Sequence, residues 1–206
     1  MAAISRGVLY VAYGSKARQE ARLSAESLAR IHPRWPVRVI TDGEVVGWAP
    51  TIHWPNQGTP GRWAKVNLDA LTPWEQTLFL DADTRVYDKL EVGFSYLDQG
   101  WDMVIVPSIP QGTEILGHCS DPERFATLWE CRIEPLQLNT GAIWFRQSTR
   151  VKQLFQAWRR EWQRFKDKDQ GALLRALEQS TARIALLGRP FNGGAVVSHR
   201  FGMARG

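Results

Sequence analysis

The sequence has no long apolar run and very little cysteine, and each absence excludes a class of protein. No stretch approaches the roughly 18 to 20 uninterrupted apolar residues that a membrane-spanning helix requires, so we expect no transmembrane segment. The apolar run at residues 8–12 is too short for the core of a secretory signal peptide. The only cysteines, Cys119 and Cys131, match no zinc-binding spacing and do not suggest a disulfide framework. A reduced, cytoplasmic protein is the simplest interpretation of these absences.

The chain also lacks internal repeats, low-complexity tracts and linkers rich in glycine and serine. Its 206 residues are enough to bury one substantial core and too few for two comfortable domains. We therefore expect a single domain that spans residues 1–206.

The charge is moderately basic and is not concentrated at one end of the chain. Lysine and arginine number 26 against 21 aspartates and glutamates, which gives a formal net charge of +5. Such a charge suits an anionic partner, for example a nucleotide, a nucleic acid or an acidic glycan. A dedicated nucleic-acid-binding protein usually concentrates its basic residues, whereas here most lie among acidic ones. The exception is a helix expected at residues 151–168, whose basic side is interpreted either as solvated or as a surface for acidic groups or membrane headgroups.

The beginning of the chain has the pattern of a βαβ unit. Residues 8–12 are apolar without polar alternation, which is typical of a parallel strand that is covered on both faces. A helix is expected from an N-cap at Ser15 to the residues before Pro33. A second strand is expected at residues 37–40, ending just before Asp42. The unit predicts an α/β sheet with a right-handed crossover.

The rest of the sequence continues the alternation of strands and helices. Further strands are expected at residues 77–80, 103–106, 142–145, 184–187 and 195–198, and helices around residues 65–71, from near Pro122, and at 151–165 and 169–177. A loop rich in proline and tryptophan is expected at residues 48–61. Trp48, Trp54 and Trp63, in or beside this loop, are candidate platforms for stacking a sugar.

Two aspartates follow directly on the apolar strand at residues 77–80. Because side chains two positions apart in a strand point to the same side, Asp81 and Asp83 present their carboxylates together while Ala82 faces away. Ligands of open α/β sheets bind beyond the carboxyl ends of the strands, which is where this pair is expected. Paired carboxylates favour Mg²⁺ or Mn²⁺, which also coordinate substrate phosphates. The pair therefore indicates a metal site for a phosphate-containing substrate.

Other interpretations also fit these features. The pair could form a surface turn in which both carboxylates are solvated. It also suits a haloacid-dehalogenase-like phosphatase, in which an apolar strand leads into Asp-x-Asp with Thr two residues later. Here Thr84 follows Asp83 immediately, and the pair comes after at least two strands rather than at the end of the first. A non-catalytic nucleic-acid-binding module would account for the basic charge instead.

At these residues the chain resembles the GT-A fold glycosyltransferases, especially the family 8 type that includes glycogenin and bacterial lipopolysaccharide galactosyltransferases. Residues 78–84, Leu-Phe-Leu-Asp-Ala-Asp-Thr, are similar to their Leu-Asp-Ala-Asp-Thr metal motif. Residues 138–142 resemble the Asn-x-Gly entry to the strand that lines the donor sugar pocket, and residues 169–170 resemble the Asp-Gln pair that begins a helix beside the sugar. Residues 191–192 and 196–202 resemble the late Asn and the His-x-x-Gly segment. The Lys-Pro-Trp and the basic aromatic tail that often follow in family 8 are absent from the sequence.

The resemblance implies a fold and a role for each matching residue. The fold is a single-domain α/β GT-A fold, Rossmann-like, with a mixed central sheet flanked by helices. His199 would be the third protein ligand of the metal, beside Asp81 and Asp83, and Asp169 and Gln170 would be the catalytic residues next to the sugar. The residues implied in binding the nucleotide and the donor sugar are Ala12, Tyr13, Asp42, Arg62, Lys65, Ala82, Asn139, Thr140, Gly141 and Asn192. Without the resemblance, Asp169 is equally an ordinary helix N-cap, and Lys65 an exposed helix residue.

The implied activity is the transfer of a hexose from a nucleotide-diphosphate sugar, preferably a UDP-sugar, to a glycan, lipid, protein or nucleic-acid acceptor. Mn²⁺ or Mg²⁺ is the implied cofactor, which would neutralise the departing diphosphate. Family 8 enzymes retain configuration at the anomeric carbon, so the resemblance favours retention, with Asp169 as the candidate carboxylate at the sugar.

Overall fold

A computed structural model describes residues 5–43, 45–55, 60–108, 115–131 and 136–200. The strands in these ranges are β1 (Arg6–Val11), β2 (Val37–Thr41), β3 (Thr51–His53), β4 (Gln76–Asp81), β5 (Thr84–Val86), β6 (Met103–Pro107), β7 (Leu138–Arg146), β8 (Ile184–Leu186) and β9 (Val197–His199). The α-helices are α1 (Gly14–Ile31), α2 (Pro60–Lys65), α3 (Leu68–Leu71), α4 (Glu91–Asp98), α5 (Asp121–Glu130), α6 (Thr149–Phe165) and α7 (Asp169–Glu178). Among these helices, none combines the length and the apolar composition that a membrane crossing needs.

The central sheet has seven strands in the order β3-β2-β1-β4-β7-β6-β8. Strands β1 to β4 are parallel neighbours, whereas β7 runs antiparallel to both β4 and β6, and β8 is parallel to β6. The sheet is therefore mixed, which confirms the expected fold class.

Successive residues of the central strands enter two separate cores, one on each face of the sheet. In β1, Leu9 belongs to the core that includes α6 and α7, while Val8 and Tyr10 belong to the core under α1 and α4. The same division separates Phe79 from Leu78 in β4. Because helices cover both faces, these strands lack polar alternation, as the sequence indicated.

A second, two-stranded sheet joins distant parts of the chain. Strand β5 pairs antiparallel with β9, and Thr84 lies opposite His199. This pairing brings the late histidine beside the turn that follows β4. Neither β5 nor its pairing with β9 was expected from the sequence.

Several local expectations need correction. Helix α1 begins at Gly14 with its N-cap at Tyr13 rather than Ser15, and Gly14 adopts a φ of 79° at the turn out of β1. The helix expected around residues 65–71 is divided into α2 and α3, since Asn67 leaves helical geometry and its amide donates to the carbonyl of Trp63. The expected loop at 48–61 contains the edge strand β3, and α4 was not anticipated. The Gly202 of the His-x-x-Gly segment lies outside the described residues.

Candidate metal centre and donor site

The carboxylate pair lies at the carboxyl edge of the sheet, where β4 ends. Asp81 is the last residue of β4 and is half-buried, whereas Asp83 is buried. The hydroxyl of Thr84 closes the turn by donating to the carbonyl of Asp81 at 2.8 Å, and it lies 2.8 Å from the hydroxyl of Ser24 in α1. Ala82 is buried in the core beneath the turn. The alternative of a fully solvated surface turn is therefore wrong.

His199 completes a cluster with the two aspartates. Its Nε2 atom lies 3.2 Å from Oδ1 of Asp83 and 3.6 Å from Oδ2 of Asp81. One ligand atom from each of the three residues lies within 4.8 Å of the others. Strand pairing sets this geometry, and the adjacent Arg200 N–H donates to the carbonyl of Asp83 at 2.9 Å. Carboxylate oxygens and an imidazole nitrogen at this separation fit a divalent cation.

Two asparagines orient the imidazole for this role. The amide nitrogen of Asn192 donates to the carbonyl of Asn139 at 3.3 Å, which leaves its amide oxygen facing Nδ1 of His199 at 2.9 Å. In the neutral ring, Nδ1 then carries the proton and Nε2 presents its lone pair towards the aspartates. Such hydrogen bonds commonly fix the tautomer of a metal-binding histidine. Asn192 is thus positioned to support His199, and both asparagines are buried.

Lys65, at the end of α2, connects the metal cluster to the start of α7. Its ammonium lies 2.8 Å from Oδ1 of Asp81 and 3.3 Å from Oδ2 of Asp169, and 3.5 Å from the hydroxyl of Thr140. It also lies 5.2 Å from the centre of the Phe79 ring. Burial lowers the pKa of Lys65, but the two carboxylates outweigh burial, and the net pKa is raised. The interpretation of Lys65 as an exposed helix residue is therefore wrong.

Asp169 is buried at the first position of α7, and its side chain faces Lys65. Thr140 donates a hydrogen bond to Oδ2 of Asp169, and Nε of Arg62 lies 3.7 Å from Oδ1. Burial raises the pKa of Asp169, but Lys65, Thr140 and Arg62 together hold it below its usual value. The N-cap of α7 is Lys168, so the interpretation of Asp169 as an ordinary N-cap is wrong. Gln170 follows it and is half-buried.

Residues proposed to contact the nucleotide lie at the same edge of the sheet. Ala12 and Tyr13 follow β1, and Asp42 follows β2, the strand beside it. The hydroxyl of Tyr13 donates to the carbonyl of Trp54 at 3.0 Å, and Asp42 lies 3.5 Å from Arg18 of α1. This edge also carries Asp81, because β4 is the other neighbour of β1.

Gly141 lies in β7 beside the metal cluster, and its N–H donates to the side-chain oxygen of Asn139 at 3.0 Å. The contacts described above therefore join the three candidate metal ligands to Arg62, Lys65, Asn139, Thr140, Gly141, Asp169 and Asn192, whereas Ala82 is buried in the core. The tryptophans Trp48, Trp54 and Trp63 are half-buried and pack against the two cores.

Helix α6 buries the face that was expected to be apolar. On its basic side, Arg159 pairs with Asp69 at 2.6 Å, and Arg164 pairs with Glu130 and Glu161, each at 2.6 Å. These two arginines therefore bind other parts of the protein itself.

Two contacts at the site were not anticipated from the sequence. The indole N–H of Trp158 donates to the backbone carbonyl of Asp169 at 2.7 Å, so α6 helps to place α7. Arg18 pairs with Asp42 although no motif marks it. The only sequence signal for Trp158 was its place on the apolar face of its helix, which is equally typical of a plain core residue.

No family model matches this chain, and no curated protein matches it. Solved structures do match. The galactosyltransferase LgtC, in complex with donor and acceptor sugar analogs, aligns with a TM-score of 0.57 and 14% identity over 97% of this chain and 81% of its own. Mouse xyloside xylosyltransferase 1 aligns with a TM-score of 0.57 and 12% identity, covering 91% of this chain and 86% of its own.

The glycosyltransferase GlyE of Streptococcus pneumoniae, in its apo form, aligns with a TM-score of 0.62 and 13% identity. That alignment covers 92% of this chain and 46% of GlyE. At such identities the likeness defines the fold. The chain has the GT-A fold that these glycosyltransferases share.

Proposed function

We propose that the protein is a metal-dependent glycosyltransferase that transfers a hexose from a nucleotide-diphosphate sugar, with a UDP-sugar as the preferred donor. The observation that carries the proposal is the cluster of Asp81, Asp83 and His199 at the carboxyl edge of a GT-A fold. The sequence resemblance assigns these three residues to the metal, and their proximity in the structure supports that assignment. Mn²⁺ or Mg²⁺ is the proposed cofactor.

The proposed metal ligands are one carboxylate oxygen from each aspartate and Nε2 of His199. When bound, the cation would supply positive charge to stabilise the nucleotide-diphosphate leaving group. Asn192 holds the histidine ring in the orientation that this role requires. The ammonium of Lys65 adds a second buried positive charge beside Asp81.

Asp169 is the proposed carboxylate at the donor sugar. Its ionised form is stabilised by Lys65, Thr140 and Arg62, so it presents negative charge at neutral pH. Negative charge against the sugar suits the positive charge that develops at the anomeric carbon. Together with the family resemblance, this environment favours transfer with retention, and Gln170 is proposed to contribute beside Asp169.

The phosphatase alternative is less well supported. Its motif usually ends the first strand of a parallel sheet, whereas Asp81 ends the fourth strand among the described residues and lies next to the antiparallel β7. It predicts that Asp81 becomes covalently phosphorylated.

The proposal is tested by isothermal titration of the protein with UDP- and GDP-sugars, first with Mn²⁺ and then with EDTA. We expect saturable binding that requires the metal and is lost in Asp83→Ala. Asp88→Ala is the matched control, because it removes an exposed carboxylate from the same segment. Absence of binding by every donor, or binding that survives both EDTA and Asp83→Ala, would contradict the proposal. Salt-sensitive binding of DNA or RNA without Mn²⁺ would favour the nucleic-acid-binding alternative.

A further inference from the structure

Helix α7, which begins with the candidate catalytic residue, has no side-chain cap of its own. Its N-cap residue is Lys168, whose side chain accepts no hydrogen bond from the helix, and its third residue is Gly171. In the common capping box, a Glu at that third position reaches back to the N–H of the N-cap residue. Because the third residue is Gly171, α7 has no side chain of its own at this position to make that hydrogen bond.

The carboxylate of Glu123, which belongs to α5, lies where the carboxylate of such a Glu would lie. Its Oε2 atom accepts a hydrogen bond from the N–H of Lys168 at 3.0 Å. Its Oε1 atom lies 3.0 Å from the point where a β-carbon of residue 171 would stand. Glu123 therefore makes the hydrogen bond of a capping box from a different helix, and Gly171 provides the space for it.

The cap is held by a buried arginine. Arg175 of α7 places Nη2 3.2 Å from Oε1 of Glu123, and its Nε lies 2.9 Å from Glu161 of α6. It also donates to the hydroxyl of Thr127 in α5. Burial raises the pKa of Glu123, while the N–H of Lys168 and the guanidinium of Arg175 oppose that rise. A single arginine thus connects all three helices around the start of α7.

The interaction between the two helices is reciprocal. The loop residue Asp167, just before α7, accepts a hydrogen bond from the N–H of Ser120, the N-cap residue of α5, at 2.7 Å. The start of α7 is therefore bound by a carboxylate of α5, and the start of α5 is bound by a carboxylate of the loop that leads into α7. These two hydrogen bonds tie residues 167 and 168, directly before Asp169, to α5.

We propose that Glu123 is a positioning residue for the glycosyl transfer, which it serves by fixing the backbone at Lys168 and thereby the carboxylate of Asp169. The inference rests on the proposed function, in which Asp169 faces the donor sugar and the metal cluster holds the diphosphate. Loss of the cap then affects recognition of the sugar more than recognition of the nucleotide.

The experiment compares wild type with Glu123→Ala and with the double variant Glu123→Ala/Gly171→Glu. The second substitution supplies, from within α7, a Glu at the third position that can reach back to the N–H of Lys168, and it places a carboxylate one helical turn before Arg175, a favourable spacing for an ion pair. Glu123→Gln keeps the shape of the side chain if the alanine variant fails to fold. Glu130→Ala, which removes a partly exposed partner of Arg164 on the same helix, is the control.

The first readout is the indole ¹H–¹⁵N signal of Trp158, because this group donates to the carbonyl of Asp169. We expect the signal to shift in Glu123→Ala, to return towards its wild-type position in the double variant, and to stay in place in Glu130→Ala. The indole signal of Trp144, which lies in the opposite core, serves as the internal reference. This readout does not depend on the donor.

The second readout is titration with UDP and with the UDP-sugar that wild type binds, both with Mn²⁺. We expect Glu123→Ala to weaken binding of the UDP-sugar about tenfold, the scale of one lost capping interaction, while UDP binding changes less than about twofold. An unchanged Trp158 signal, or equal weakening of both ligands, would overturn the positioning role. Failure of wild type to bind either ligand would instead contradict the proposed function, and the Trp158 signal would still decide whether Glu123 fixes Asp169.

Discussion

Gly141 lies directly against the imidazole ring of His199. A β-carbon at position 141 would stand 2.3 Å from Cε1 of His199 and 3.0 Å from Oδ2 of Asp81. Neither neighbour is free to retreat, because His199 is held by Asn192 and Asp81 by Lys65. Glycine is therefore required here by the close approach of two candidate metal ligands.

Gly141→Ala is expected to weaken Mn²⁺-dependent nucleotide binding by about tenfold or more, the range seen when the supports of metal ligands are disturbed. Titration with Mn²⁺ and UDP measures the effect. Gly61→Ala is the matched control, since Gly61 lies in α2 and a β-carbon there meets no atom of the described residues within 4 Å. Equal affinities of wild type and Gly141→Ala would show that the observed packing of His199 is unimportant for the metal site.

Lys65→Met is expected to destabilise the protein by about 3 kcal/mol in EDTA, because it leaves two carboxylates without their buried cation. Urea unfolding followed by tryptophan fluorescence measures this loss. The double variant Lys65→Met/Asp169→Asn is expected to be more stable than Lys65→Met alone, since the uncompensated charge of Asp169 is then removed. Additive effects of the two substitutions would contradict the coupling that the 3.3 Å contact implies.

A buried carboxylate far from the metal cluster is expected to contribute strongly to stability. Asp102 accepts hydrogen bonds from Arg146 at 3.0 Å, from Arg150 at 2.6 Å and from the N–H of Arg183 at 3.0 Å. Asp102→Asn should cost about 3 kcal/mol, because an amide cannot replace these charged contacts. Asp98→Asn, which affects an exposed pair, should cost about 1 kcal/mol or less. Urea unfolding of both variants checks the contrast.

The lowered pKa of Asp102 predicts that the folded protein loses stability in acid. Burial raises the pKa of Asp102. Hydrogen bonds from Arg150, from the N–H of Arg183 and from Arg146 lower the pKa by more than burial raises it, so the net pKa is about 2. Since the folded pKa lies below the unfolded value near 4, the stabilisation is complete above pH 4 and is lost as pH falls towards 2. Asp102→Asn should flatten this part of the stability profile, and an unchanged slope would contradict the assignment.

His32 predicts a second pH dependence, closer to neutrality. Its ring stacks on Trp35 at 3.8 Å, and Nε2 accepts a hydrogen bond from the N–H of Leu90, the N-cap residue of α4. Burial lowers the pKa of His32, with Glu91 opposing and Lys89 adding to the shift. The folded protein therefore resists protonation, and stability should fall as pH decreases below about 6.5, where the unfolded chain takes up the proton.

Unfolding of wild type and His32→Gln at pH 7.5 and at pH 5.5 measures this contribution. His118, whose pKa is also lowered, is present in both proteins, so the difference between them isolates His32. We expect His32→Gln to be less stable at pH 7.5 and to lose less stability on acidification. A drop of equal size in both proteins would exclude His32 as its source.

Much of the fold could be predicted from short segments because local patterns determine them. The unbroken apolar residues of β1 and β4 indicate strands that are covered on both faces, and the two cores confirm this. Asp81 and Asp83 could be placed at a strand end for the same reason. The apolar face of α6 likewise follows from helical spacing alone.

Shorter elements escaped prediction because their stability comes from distant partners. Strands β3 and β5 have three residues each and are defined by pairing rather than by their own pattern. The division between α2 and α3 lies at Asn67, whose backbone leaves helical geometry and whose side-chain amide donates to the carbonyl of Trp63.

The sequence by itself determined where the two aspartates lie, since an apolar strand leading into Asp81 and Asp83 places them at the carboxyl edge of the sheet. Only the tertiary structure decided how the site is completed. The pairing of β5 with β9 brings His199 to the aspartates, Lys65 connects Asp81 to Asp169, and Glu123 caps the helix of Asp169 from another helix. These relationships join residues that are far apart in the chain, so they depend on strand register and helix packing, which no local pattern encodes.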